Sequence, residues 1–190
     1  MTRWKTAALA IALACGSGGG ALAQSVRTAS PEAMVEAMSR AMAAGDWTAA
    51  AASFDPQALK DFRALLMPVL ERLPADQAEA MAASVFSRQS VARLRNGSDA
   101  EFFAAFMAGM MAMGGGRLEA SQVIGSVAEG SDLRHVVVRN RASASGLSMT
   151  KMEVVSVRRT PEGWRVLLKG EMKGLAEAMV RRLGQLGGGD

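Results

Sequence analysis

At 190 residues the chain is long enough for one well-buried domain, and composition gives no sign of a second. Apolar residues make up 49% of it, yet aromatics are only 5% and tyrosine is absent, so alanine, methionine and a few rings must build the interior. A single cysteine excludes a disulfide framework. The isoelectric point near 9.8 hides an uneven charge. Residues 24–130 hold 9 basic and 12 acidic residues, net −3, whereas residues 131–190 hold 11 basic and 6 acidic, net +5. The last third is therefore basic. It carries no nucleic-acid motif and no interleaved aromatics, so nucleic acid is not an expected partner, and its Arg and Lys are read as a solvated face.

Residues 1–23 read as an export signal. Arg3 and Lys5 form a positive start, residues 6–14 are an apolar run too short to span a bilayer, and Ala21-Leu22-Ala23 is an A-x-A cleavage site that places Gln24 at the mature terminus. The expected location is periplasmic or secreted. Cys15 follows Ala12-Leu13-Ala14, which resembles a lipobox, so a lipoprotein anchored through Cys15 is the alternative. No later segment is apolar for long enough to span a membrane. Residues 24–29 read as a loose arm, residues 30–186 as a single α+β domain, and residues 187–190 as a flexible tail.

Ser30-Pro31-Glu32 starts a helix, with a serine cap, a proline in the first turn and an acid favoured by the helix dipole. Met34, Met38 and Met42 follow as a buried stripe, and Gly45 ends the helix. Asp46 caps a short segment ending near Phe54, and Asp55-Pro56 repeats the start signal. Leu59, Phe62, Leu66 and Leu70 keep helical spacing, with Pro68 expected to kink or split that helix. Asp76 and Glu79 suggest a capping box ahead of Met81, Val85 and Phe86. Residues 89–95 read as a short strand or irregular, and Asn96-Gly97 as a turn. Ser98 and Glu101 form a second capping box, opening a helix apolar on all sides through Met113 and expected to be buried on more than one side.

From Arg117 the apolar period changes from helical to two. Strands are expected over 118–128, 133–142, 147–159 and 164–170, joined by short connections that favour an antiparallel meander. Thr160-Pro161-Glu162-Gly163 is the last turn, after which Trp164, Val166 and Leu168 share one strand face. A closing helix over 172–186 puts Leu175, Met179, Leu183 and Leu186 on one side. Helices followed by an antiparallel run predict the α+β class, with N-terminal helices packed on a sheet of four or more strands and a C-terminal helix.

Asp46-Trp47 after the first helix, the segment ending Phe54-Asp55-Pro56, the run from Val123 to Gly130, and the closing hairpin with Glu162-Gly163-Trp164 resemble an exported bacterial member of the nuclear-transport-factor-2-like superfamily. The resemblance implies a strongly curved sheet wrapped by helices into a cone with an apolar pocket. It also implies that a sheet-mediated homodimer is among the partners to expect. Members include isomerases, dehydratases, binding modules and exported proteins of unknown role, so membership assigns no function. The helices between Asp55 and Met113 depart from the shortest members.

The residues expected to line a pocket are Phe62, Phe103, Phe106, Met110, Trp164 and Val166. Acid–base members of the superfamily rely on aspartate, histidine and tyrosine in the cone, and this chain has no tyrosine. Asp46, Asp55, Asp76 and Asp99 all stand at helix starts, where capping accounts for them. His135 shares a strand face with Leu133, Val137, Arg139 and Arg141, the more charged face, and is expected to meet solvent rather than act as a base. Met107, Met110, Met111 and Met113 would suit Cu(I) as soft ligands, but no histidine or cysteine accompanies them and core filling is the expected role. Arg158 and Arg159, with Arg141 and Arg165, are candidates to contact a phosphate or an acidic partner, and are read as solvated. The expected function is a non-enzymatic exported domain that binds an apolar small molecule, a lipid or a protein partner, without a cofactor. An isomerase- or dehydratase-like enzyme is the first alternative and Cu(I) binding by the methionines the second.

Overall fold

The structure, a computed structural model, describes residues 30–144 and 146–186, but not the side chains of Leu175 and of residues 182–186. The export signal, Cys15, the arm over 24–29 and the tail over 187–190 lie outside the described residues, as do the side chains of Leu175, Leu183 and Leu186. Helices α1 (Pro31–Ala44), α2 (Trp47–Ala51), α3 (Pro56–Arg72), α4 (Ala75–Val85), α5 (Val91–Asn96) and α6 (Asp99–Gly114) come first. Strands β1 (Gly116–Glu129), β2 (Leu133–Ala144), β3 (Leu147–Thr160) and β4 (Gly163–Val166) follow, and α7 (Gly170–Leu186) closes the chain. The sheet is an antiparallel meander in the order β1-β2-β3-β4. The protein is thus α+β, with helices on a four-stranded antiparallel sheet and a C-terminal helix.

Local chemistry sets most boundaries. The Ser30 side chain accepts from Ala33 N at 3.1 Å, Asp46 from Ala49 N at 2.9 Å and Asp55 from Gln57 N at 2.9 Å. The Ser98–Glu101 capping box is complete in both directions, and these bonds from the Ser98 backbone and hydroxyl hold the Glu101 carboxyl below its ordinary value. The two-residue turn after Thr160 closes on Gly163, whose φ of 118° is disfavoured for any side chain.

Four expectations are corrected. Pro68 does not split its helix into two elements: α3 runs through it, with Leu66, Met67, Val69 and Leu70 buried before and after it. Asp76 and Glu79 make no capping box, since Pro74 takes the cap position without a side-chain bond. The Glu79 carboxylate instead accepts from Val91 N at 3.2 Å. Residues 91–96 are helical rather than extended, because Ser90 caps them through Arg93 N. The last strand stops at Val166 instead of running to 170.

Two cores result. The larger lies among the helices and centres on Phe62, Leu66, Leu70, Phe86, Phe102 and Phe106, with Ala176 of α7 buried against it. The smaller is the interface of α1 with the sheet: Met34, Val35 and Met38 meet Val136, Val138, Val155, Val157 and Val166. Phe54 touches both. Its segment forms a parallel bridge to Val166, with Val166 N donating to Ser53 O and Asp55 N to Val166 O, each at 2.9 Å. Arg63 ties α3 to α5 by donating to the carbonyls of Leu94, Arg95 and Gly97, where a cation also opposes the negative helix end.

Candidate functional site

The six residues expected to line a pocket do not form one site. Phe62, Phe103 and Phe106 do come together. Their rings meet edge to face, with centroids 5.2 Å apart for Phe62–Phe103 and 5.0 Å for Phe62–Phe106, and all three are buried. Phe86 and Phe102 join them at 4.8 Å from each other. This is the packing of a filled aromatic interior. Met110 is half-buried against the same core. Val166 and Trp164 belong to the other core, with Val166 buried and Trp164 half-buried under the Arg134 guanidinium 5.8 Å from its ring.

Two open clefts, of about 310 and 340 Å³, are lined by none of these six. The first lies between the start of α2, α5 and α6 and includes Asp46, Trp47, Gln89, Arg93 and Glu101. Its carboxylates are already engaged: Asp46 caps α2, and Glu101 accepts from Ser98 and pairs with Arg93 at 3.1 Å. The second includes Glu71, Glu79 and Arg95, where Glu71 pairs with Arg95 at 3.6 Å and Glu79 takes the Val91 amide. Neither cleft offers a free proton-transferring group of the kind acid–base chemistry needs.

His135 sits on the face of the sheet that α1 does not cover, as its strand pattern indicates. Its Nδ1 lies 2.9 Å from Ser156 Oγ and its Nε2 2.5 Å from Glu129 Oε2. The three groups run across β1, β2 and β3, a chain that no spacing in the sequence announces. Ser156 lies in the middle of the sheet, where its carbonyl accepts from Leu167 N and its strand is paired on both sides. The chain ties the side chains of the three strands together across the sheet.

The opposite face holds a second polar group. Asn140 and Glu153 share parity with the buried valines of β2 and β3. Asn140 Nδ2 donates to Glu153 Oε2 at 3.1 Å, and Glu153 also pairs with Lys151 at 3.0 Å and Lys169 at 3.2 Å. Burial raises the Glu153 pKa, but the Lys151 hydrogen bond and the Lys169 charge together outweigh it and hold the carboxyl below its ordinary value. The sequence did carry a signal for this pair: two polar residues on the core-facing parity.

The uncovered face is the larger feature. Cross-strand pairing puts Val127 beside His135, Val154 beside Val137, Met152 beside Arg139, Thr150 beside Arg141, Arg117 beside Ser143 and Arg158 beside Leu133, all on one side of the sheet. Val127, Met152 and Val154 are 63%, 50% and 51% exposed. Arg117, Arg139, Arg141 and Arg158 are exposed too, and among the described residues none of them pairs with a carboxylate. The β2 half of this face was legible from strand parity. Its continuation through Met152 and Val154 was not, because it depends on the β2–β3 register.

Met107 and Met110 pack against the helical core, while Met113 is exposed. Among the described residues no group of three His, Cys, Asp or Glu side chains is placed to hold a metal ion, and no helix is long and apolar enough to cross a membrane. No family model, curated protein or solved structure matches the chain.

Proposed function

We propose that this chain is an exported, non-enzymatic domain that binds an apolar small molecule, a lipid or a protein partner, and that its working surface is the uncovered face of the sheet. The observation that carries the reading is the division of apolar side chains. The large rings fill the helical interior, whereas Val127, Met152 and Val154 stay in water on a face that also carries arginines. Large apolar side chains left in water among charged ones on one face point to an interaction site. The engaged carboxylates in both clefts favour binding over proton transfer, and the packing of Met107 and Met110 in the core favours filler over Cu(I) ligation. The likeness to the nuclear-transport-factor-2-like superfamily rests on the sequence patterns and is compatible with the α+β order of elements. Export rests on the pattern of residues 1–23.

Two measurements test the reading. The intact mass of the processed protein should correspond to a chain starting at Gln24, and a diacylglyceryl group on Cys15 would replace the soluble form with an anchored one. Nile red should brighten on the native protein and at least fivefold less on Met152→Asp/Val154→Asp, and equal brightening by both would move the binding surface elsewhere.

A further inference from the structure

We infer that the uncovered face docks on the surface of an anionic phospholipid bilayer, an inference that rests on the reading of this face as the working surface. Three observations point to this occupant. First, the face is basic: Arg117, Arg139, Arg141 and Arg158 stand on it, and the main opposing carboxylate, Glu129, is tied to His135. Glu119, at the β1 irregularity, accepts from Ser148 Oγ at 3.3 Å. Second, apolar and cationic side chains stand together on this face, with Met152 paired to Arg139 and Val154 to Val137. Aliphatic groups that enter the headgroup boundary beside guanidiniums that stay at the phosphates are the combination an anionic interface takes up. Third, the other occupants fit less well. A second copy laid face to face would bring the same arginines against each other. A single-stranded nucleic acid would use exposed rings for stacking, and the exposed large apolar residues include none.

The test uses the processed chain from Gln24, which carries no cysteine, labelled with an environment-sensitive dye at Met152→Cys or Val154→Cys, and at Gln77→Cys on the exposed side of α4 as control. The second face position guards against a local failure at the first, and circular dichroism checks that each labelled chain is folded. Vesicles are phosphatidylcholine with or without phosphatidylglycerol. The face labels should brighten and shift to the blue only with phosphatidylglycerol, lose the response in high salt, and leave the Gln77→Cys label silent. Arg139→Gln and Arg141→Gln should each weaken partitioning about fivefold, the fold-change that corresponds to about 1 kcal/mol per arginine near an anionic surface. Silence of both face labels, an equal response to neutral vesicles, or an equal response at Gln77→Cys would overturn the inference. If the face labels are silent while Nile red still needs Met152 and Val154, only the lipid assignment falls. If the dye is also indifferent to those residues, the reading of the face falls with it.

Discussion

The helical interior and the sheet meet water on very different terms. In the helical core five phenylalanines are enclosed by α3, α4 and α6 and by one another, and the largest of the buried side chains are found there. Among the described residues α1 is the helix over one face of the sheet, and the buried valines pack beneath it with Phe54 and Trp164 at the margin. Beyond it, Leu147 and Met149 on the same face are 76% and 65% exposed. The helical core thus buries the largest side chains, while the sheet pairs a smaller valine core with a broad accessible surface.

The contrast breaks first in the helical core. Phe106→Ala removes a fully buried ring that packs edge to face on Phe62 and tilted against Phe86, and should cost about 3–5 kcal/mol in urea unfolding. Gly109→Ala should rank next. A Cβ there would lie 2.0 Å from Val85 O, a backbone atom at the end of α4 that cannot swing aside. Overpacking of about 3 kcal/mol, the top of the ordinary range, is expected from the same measurement.

Trp164→Ala belongs to the sheet and should lose less, about 1–2 kcal/mol, because the ring is half-buried and partly covered by Arg134. Full burial of this tryptophan, as strand parity suggests, would have put the loss with that of Phe106. Smallest is the acid dependence of Glu153. Its carboxyl titrates below its ordinary value of 4.5, so its contribution is fully present above that pH and is lost as pH falls through the lowered folded value. Urea midpoints of wild type and Glu153→Gln should therefore differ at neutral pH and converge in strong acid.

How far the sequence carried these elements follows from what each depends on. Caps and turns are local, so Ser30, Asp46, Asp55, Ser98 and Gly163 located their boundaries. The period of two located the strands and the meander. What escaped was set by partners distant in sequence. Glu79 left its own helix start to take the Val91 amide. Pro68 is tolerated where the residues just before and after it, Leu66, Met67, Val69 and Leu70, are buried. The six pocket candidates share only size and apolarity, which do not distinguish a ring that lines a cavity from one that fills a core. For the candidate face, strand parity gave His135, Arg139 and Arg141, and the β2–β3 register was needed to add Met152 and Val154.

The central claim is that the uncovered face serves binding and not folding. The most direct measurement is urea unfolding of Met152→Asp/Val154→Asp with Nile red binding on the same sample. The account predicts a midpoint within about 0.3 M of wild type, as expected for exposed positions, together with loss of most dye binding. A midpoint lowered by about 1 M or more, or dye binding at the wild-type level, would contradict it.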